Sequence, residues 1–290
     1  MQITASMVKE LREISGAGMM DCKSALTETN GNMDEAMNYL REKGISKSLK
    51  KESRIAAEGL ANVYIEGNNA VILEINSETD FVSKNEEFKI LIDTIGKLLL
   101  ENKPSDVESA LEIKCDEGTI KDLIINKTAI IGEKLSFRRF VIMEKTEGET
   151  FGSYIHMGGR IAVLTKIKGE NEEAAKDVSM QSAAMKPTFV FPKDVSADVL
   201  DNEKEIIKAQ AIEEGKSPEI AEKMVDGRIK KFYTENCLSE QVFVKDDKLT
   251  ITKFLSNNNC ELIDMVRLEV GEGIEKKEEN FAEEVMKQVG

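Results

Sequence analysis

The chain has 290 residues, of which 41% are hydrophobic and 32% are charged, a balance typical of a soluble globular protein with about two domains. Its formal net charge of −14 argues against tight binding to nucleic acid, which needs clustered lysine and arginine side chains. The first 54 residues are almost neutral, with nine basic and eight acidic side chains, whereas the remainder carries 31 basic and 46 acidic ones. We therefore expect no direct nucleic-acid partner.

Signals for membrane insertion or export are missing from the sequence. No apolar run approaches the roughly 18 residues that a membrane span needs. The first five residues, MQITA, have neither the apolar segment of a secretory signal nor the arginine-rich character of a transit peptide. Scattered cysteines without a CxxC pair are typical of reduced thiols in the cytosol, and the four in this chain are Cys22, Cys115, Cys237 and Cys260. We expect a cytoplasmic protein with no membrane partner.

Residue types that carry common catalytic chemistry are scarce. His156 is the single histidine, so a Ser–His–Asp or Cys–His arrangement would have to include it. No cysteines or histidines have the spacing of a zinc site. The phosphate-binding GxxxxGK[ST] motif, the dinucleotide-binding GxGxxG motif and the GxSxG nucleophile motif do not occur. We therefore expect a protein that is not an enzyme and that needs no metal ion or cofactor.

The first predicted elements are three short helices within residues 1–54. Thr4 or Ser6 can cap the first helix, and Asn32, with a glutamate three residues later, has the spacing of a capping box at the start of the third. Gly44 is expected to end the third helix at its C′ position. Three helices of this size resemble a ubiquitin-associated (UBA-like) domain, so we predict that 1–54 is a UBA-like domain.

Two details of this region stay open. Met19 and Met20 lie beside two glycines at the start of the second helix, and their periodicity favours a place in the core. Residues 45–53 are charged and have no hydrophobic pattern, as expected for either a linker or an extended end of the third helix.

From residue 57 onward the hydrophobic period changes to that of strands. One β-hairpin is predicted around Gly67 and a second around Gly158 and Gly159, and amphipathic helices follow at about 88–99 and 172–185. This recurrence predicts two related hairpin-plus-helix subdomains in an α+β fold. We place these subdomains at 55–140 and 141–270.

Residues 192–231 are predicted to form a helical hairpin inserted in the second subdomain. Gly215 separates the two helices, and Pro218 stands at the first position of the second. The apolar seams are thin, which indicates a projecting hairpin that contacts a partner or a second copy of the chain. A last strand is expected at 262–270 and a helix at 278–288, within a C-terminal module at 271–290.

Four segments are similar to signatures of the elongation factor Ts family, and they follow one another in the family's order over nearly the whole chain. They are residues 16–23 (GAGMMDCK), 79–85 (TDFVSKN), the arm and its return at 215–246, and 270–277 (VGEGIEKK). Two positions depart from the family's pattern. Ala162 stands where the family often has glycine, and Gln181 stands where it often has histidine.

The resemblance implies a function and a set of partner-binding residues. Members of this family bind elongation factor Tu and promote the release of GDP, so that GTP can replace it. The resemblance implies that Asp80 and Phe81 enter this partner near its Mg²⁺ site. It also implies that the second hairpin faces another domain of the partner. The complete set of candidate contacts is Thr79, Asp80, Phe81, Val82, His156, Arg160, Met19 and Met20.

Structural roles remain as alternatives for these residues. Phe81 precedes Phe88 by seven residues, so a continuous helix would bury it, with Thr79 or Asp80 as the N-cap. The structural alternative for His156 and Arg160 is a half-buried histidine and a surface arginine with no contact to a partner. Rival functions are a UBA-type adaptor that binds without altering nucleotide release, and a ribosome- or RNA-associated protein whose binding would depend steeply on salt.

Overall fold

A computed structural model of the chain describes residues 3–116 and 118–275. The helices are α1 Ala5–Ser15, α2 Met19–Glu28, α3 Met33–Leu49, α4 Asp80–Ser83, α5 Glu86–Asn102, α6 Val107–Leu111, α7 Ile120–Ile131, α8 Glu172–Met185, α9 Ala197–Glu213, α10 Pro218–Asn236 and α11 Ile251–Asn257. The strands are β1 Glu58–Glu66, β2 Asn69–Ser77, β3 Lys114–Cys115, β4 Gly118–Thr119, β5 Ser136–Glu144, β6 Glu149–His156, β7 Ile161–Lys168, β8 Val242–Phe243, β9 Asp246–Thr250 and β10 Glu261–Glu269. The predicted α+β class is confirmed, and the helix predicted at 278–288 lies outside the described residues.

The described residues divide into two compact units. The first contains those within Met1–Asn62, Leu73–Phe140 and Glu269–Gly290, and the second contains Val63–Ile72 and Val141–Leu268. The larger sheets have the strand orders β1–β2–β5 and β10–β7–β6.

Helices α1 to α3 form the predicted three-helix bundle at the start of the first unit. The Thr4 side chain accepts a hydrogen bond from the Met7 N–H and caps α1, while the Asn32 side chain caps α3. Apolar side chains from all three helices make up the core, namely Val8, Leu11, Cys22, Ala25, Leu26 and Ala36. The four cysteines, all within the described residues, are free thiols.

The predicted end of the third helix at Gly44 is wrong. Helix α3 continues to Leu49, and Gly44 is buried within it. A Cβ atom at this position would lie 3.3 Å from the Cβ of Ala129, which belongs to α7. Glycine here therefore permits close approach of α3 and α7, and residues 45–49 are the extended helix end that was one of the two alternatives.

Helix α5 supplies much of the remaining core of the first unit. Asn85 caps it by accepting the Glu87 N–H at 2.8 Å, and its buried face carries Phe88, Leu91, Ile92, Ile95 and Leu99. Helix α7 packs against both α3 and α5. Helix α7 and strand β5 were not predicted from the sequence.

The second unit contains a sheet that packs against a helix. Strands β6 and β7 pair antiparallel, from Glu149 with Lys168 to His156 with Ile161, and α8 packs on both of them. Gly152 makes this packing possible, since a Cβ atom there would lie 2.1 Å from the Ala175 carbonyl oxygen. Helix α8 begins and ends where the sequence predicts.

Helices α9 and α10 pack against each other, in agreement with the hairpin predicted from the sequence. Their seam buries Ile207, Ala211 and Ala221. The Arg228 guanidinium donates to the Glu214 carboxylate at 3.1 and 3.2 Å.

Candidate partner-binding site

The Phe81 turn, which we define as residues 79–85, follows directly from the end of β2. Helix α4 is a single turn with Thr79 as its N-cap residue and Lys84 as its C-cap residue. The Phe81 side chain is 77% exposed, whereas Val82 beside it is only 5% exposed. The turn thus fixes one apolar side chain in the interior and presents its larger neighbour to solvent.

The alternative that places Phe81 in the core is wrong. It required one continuous helix from Phe81 to Phe88, but α4 ends at Ser83, and α5 begins at Glu86 with Asn85 as its N-cap. The break ends the helical periodicity that would have placed the two phenylalanines on one face. Phe88 is therefore fully buried while Phe81 is exposed.

Polar contacts hold the backbone around Phe81. The Ser77 hydroxyl donates to the Thr79 carbonyl oxygen at 2.9 Å, and the Ser83 hydroxyl donates to the Asp80 carbonyl oxygen at 2.6 Å. The Glu133 carboxylate accepts two hydrogen bonds from Thr79, one from its N–H at 2.9 Å and one from its hydroxyl at 2.6 Å.

Asp80 lies at the first position of α4 and is exposed. Its carboxylate is 3.5 Å from the Lys84 ammonium in an i,i+4 pair, with both side chains more than half exposed. The same ammonium lies 5.9 Å from the centre of the Phe81 ring. A carboxylate and an aromatic ring are thus presented together to solvent.

His156 and Arg160 flank the turn between β6 and β7 in the second unit. The His156 ring stacks on Tyr154 at a centroid distance of 5.9 Å, and its Nδ1 atom is 3.5 Å from the Tyr154 hydroxyl. Between His156 and Arg160, Met157 has a positive φ of 49° and is 70% exposed. Sequence reasoning missed Met157, although a large apolar residue before two glycines in a turn is a usable signal.

Met19 and Met20 begin α2 and are 54% and 76% exposed, so the alternative that places them in the core is wrong. Cys22, Ala25 and Leu26 supply the buried face of this helix instead. Of the eight candidate residues, the four from Thr79 to Val82 share one turn. Met19 and Met20 belong to the same unit as that turn, and His156 and Arg160 belong to the other.

Two further findings concern metal-binding groups and membrane-spanning helices in the part of the chain that the structure describes. Among these residues, no group of three or more His, Cys, Asp or Glu side chains could hold a metal ion. Within the same ranges, no helix is both long enough and apolar enough to cross a membrane.

The three-helix bundle, the two sheets with their helices and the Phe81 turn define an α+β protein whose candidate site is an exposed surface turn. The family model for elongation factor TS matches residues 78–272. Elongation factor Ts of Limosilactobacillus reuteri (strain DSM 20016) is 50% identical over 288 residues, which cover 99% of this chain and 99% of that protein. The values are the same for elongation factor Ts of Limosilactobacillus reuteri subsp. reuteri (strain JCM 1112). The chain belongs to the elongation factor Ts family, so the predicted resemblance is confirmed and the chain is a translation elongation factor.

Proposed function

We propose that the chain is a guanine-nucleotide exchange factor that binds elongation factor Tu·GDP, disturbs its Mg²⁺ and phosphate site, and promotes GDP release so that GTP can bind. The observation that carries this proposal is the 77% exposure of Phe81 on a turn whose next residue, Val82, is buried. An aromatic ring held at the surface in this way can enter a partner without rearrangement of its own backbone. The chain acts by binding, with no catalytic residue or cofactor of its own.

The free energies involved require a wide interface. A GTPase that holds GDP with nanomolar affinity binds it by about 12 kcal/mol. Acceleration of release by about 10⁴ lowers the barrier by roughly 5.5 kcal/mol. Burial of one phenylalanine contributes about 1.5–3 kcal/mol. Phe81 therefore supplies part of the required free energy, and other contacts must supply the rest.

Asp80 can contribute at the same place. An exposed ion pair such as Asp80–Lys84 is worth about 0–1 kcal/mol, so its loss in a complex costs little. In our proposal the freed carboxylate adds negative charge where waters coordinate the partner's Mg²⁺, and Phe81 separates the elements that hold those waters. In this proposal, binding of the chain weakens the partner's affinity for GDP. Because such coupling is reciprocal, GDP weakens the partner's affinity for the chain by the same factor.

We assign the candidate contacts to separate parts of the chain. Met19 and Met20 contact the partner from the UBA-like domain at 1–54, and Thr79 to Val82 do so from the subdomain at 55–140. His156 and Arg160 contact it from the subdomain at 141–270, which includes the helical hairpin at 192–231. A C-terminal module at 271–290 completes this division. We propose that the complex forms in the cytoplasm.

Release of fluorescent GDP from elongation factor Tu, followed by stopped flow, tests the proposal. The parent chain should accelerate release strongly, and Phe81→Ala should lose about 10-fold or more of this acceleration because the buried ring is removed. Ile90→Ala is the matched control, since Ile90 is an exposed apolar residue on the adjacent helix α5.

Two outcomes would contradict the proposal. If the parent chain binds elongation factor Tu but leaves GDP release unchanged, the adaptor function replaces the exchange function. If Phe81→Ala and Ile90→Ala have equal effects, the ring has no special role, and the exchange mechanism lies elsewhere on the interface.

A further inference from the structure

A residue in the loop after α7 is hydrogen-bonded to Thr79, the first residue of the Phe81 turn. Gly132 ends α7 in the left-handed region, with φ of 90°, and Glu133 follows it. One carboxylate oxygen of Glu133 accepts the Thr79 N–H at 2.9 Å, and the other accepts the Thr79 hydroxyl at 2.6 Å. Hydrogen bonds to an ionised acceptor are about twice as strong as neutral ones. Glu133 therefore fixes both the backbone and the side chain of Thr79.

The Phe81 turn needs this support because it is too short to maintain its own conformation. Helix α4 has four residues, and a single helical turn is unfavourable on its own. Phe81 is mostly exposed, so packing of its own ring contributes little to its orientation. On one side of Phe81 the buried Val82 fixes the turn, and on the other side Glu133 fixes it through Thr79.

The loop that carries Glu133 is itself well anchored within the first unit. The backbone N–H of the next residue, Lys134, donates to the Glu78 carboxylate at 2.5 Å. The Lys134 ammonium donates to the carbonyl oxygens of Glu52 and Arg54 at 2.6 and 2.9 Å. Helix α7, which leads into this loop, packs on α3 and α5. The Glu133 side chain that holds Thr79 therefore extends from a loop that is anchored within the first unit.

We infer that Glu133 is a positioning residue for nucleotide exchange, which acts by holding Thr79 so that Phe81 is presented in its binding orientation. The inference rests on the proposed function. Glu133 need not touch the partner, because its effect passes through Thr79 to the ring. A turn fixed before binding loses less conformational entropy when the ring becomes buried.

Exchange kinetics over a range of concentrations of this chain separate positioning from general stability. Glu133→Ala should lower the maximal rate of GDP release roughly 10-fold, because both hydrogen bonds that hold Thr79 are lost and part of their free energy serves to position the ring. The concentration at half-maximal rate should change less, because the rest of the interface is intact. Glu133→Gln keeps an acceptor for the Thr79 N–H and should restore most of the rate.

The matched control is Glu149→Ala. Glu149 also accepts a backbone N–H, that of Thr146 at 2.9 Å, but it belongs to the second unit, whereas the Phe81 turn belongs to the first. This variant should exchange nucleotide like the parent chain. Equal losses in Glu133→Ala and Glu149→Ala would overturn the positioning role, because any loss of a carboxylate-to-backbone bond would then have the same effect.

A double-mutant cycle with Phe81→Ala decides whether the effect passes through the ring. We expect Glu133→Ala to have no further effect on exchange once the ring is absent, and additive losses would overturn the inference. If Phe81→Ala slows release and Glu133→Ala does not, the positioning role fails while the proposed function stands. If Phe81→Ala has no effect, the proposed role of Phe81 in exchange fails, and the inference fails with it because the orientation of the ring then does not matter.

A milder variant serves if Glu133→Ala does not fold. Thr79→Val removes the hydroxyl donor but keeps the N–H that Glu133 accepts, and it should lower the maximal rate by roughly 3-fold. The same cycle with Phe81→Ala then applies, and it separates lost positioning from the loss of a direct contact between Thr79 and the partner, because the second effect would persist without the ring. A parent-like rate in Thr79→Val would count against the inference.

Discussion

Glu74 is a fully buried carboxylate in β2 that accepts hydrogen bonds from four residues. The guanidinium groups of Arg138 and Arg139 donate to it at 3.0 and 2.6 Å. The Asn76 side-chain amide and the Gly271 N–H donate at 3.0 and 2.8 Å. This cluster joins β2, β5 and the residues after β10 within the first unit. Replacement of Glu74 by glutamine tests how strongly it stabilises the fold.

The expected loss of stability follows from the two arginine side chains that stay in place when Glu74 loses its charge. Removal of one partner from a buried ion pair typically costs about 3–5 kcal/mol, because the other charge stays buried without compensation. The side chains of Arg138 and Arg139 are 25% and 33% exposed, so water solvates them in part. Glutamine also keeps one acceptor oxygen. We therefore expect a loss of about 3 kcal/mol in the free energy of unfolding for Glu74→Gln, at the lower end of that range.

Urea unfolding measures this loss, and hydrogen exchange at the Gly271 amide reports the local bond directly. Glu13→Gln is the matched control, since Glu13 and Lys9 form an exposed i,i+4 pair that is worth less than about 1 kcal/mol. A Glu74→Gln variant within about 0.5 kcal/mol of the parent, with unchanged protection at Gly271, would refute the reasoning.

The pH dependence of stability gives a second measurement on the same pair of proteins. Burial alone would raise the pKa of Glu74, but hydrogen bonds from Gly271, Arg139 and Asn76 outweigh burial and hold the pKa below its ordinary value. Its stabilisation is therefore present above the unfolded pKa of about 4.3 and is lost as the pH falls through the folded pKa. The difference in stability between the parent and Glu74→Gln should shrink below about pH 4.

Three further substitutions test the contacts of particular residues. Gly59→Ala should cost about 2 kcal/mol or more in thermal unfolding, because Gly59 has φ of 132° and a Cβ atom would lie 2.1 Å from the Ile75 carbonyl oxygen. Gly67→Ala, with positive φ but no atom within 4 Å of the added Cβ, should cost only about 1 kcal/mol, and equal losses would contradict the steric argument. Gln181→Leu should cost about 2–3 kcal/mol and expose the Val244 N–H to hydrogen exchange, because the buried Gln181 amide oxygen accepts that N–H at 2.9 Å. Parent-like protection at Val244 would show that another acceptor replaces Gln181.

Elements with local sequence signals were predicted well. Helix α8 matches its predicted range because its apolar spacing is regular and Asn171 caps it by accepting the Ala174 N–H. Strand β5 went unrecognised because two adjacent arginines interrupt its apolar pattern. Their partner Glu74 lies more than 60 residues away in sequence, so only the folded structure explains why charged groups stand in that strand.

The exposure of Phe81 was left open for a related reason. Its spacing from Phe88 fits one helical face, and that pattern favours burial of both rings. The deciding residue is Asn85, whose side chain begins a new helix by accepting the Glu87 N–H. Asparagine followed by two glutamates is an N-cap signal that is present in the sequence, and greater weight on it would have predicted the break.

Glu133 could not be found from the sequence, because 54 residues separate it from Thr79. Its proposed role follows only from the folded structure, in which β2 leads directly into the Phe81 turn. Glu74 fixes this strand from within through Arg138 and Arg139, and Glu133 fixes the residue two positions beyond its end. Burial of the Phe81 ring can distort a partner only if the turn that carries the ring deforms less than the partner's binding site does. The two carboxylates give the Phe81 turn that support, and for this reason we assign to Glu133 a role in exchange and not in folding alone.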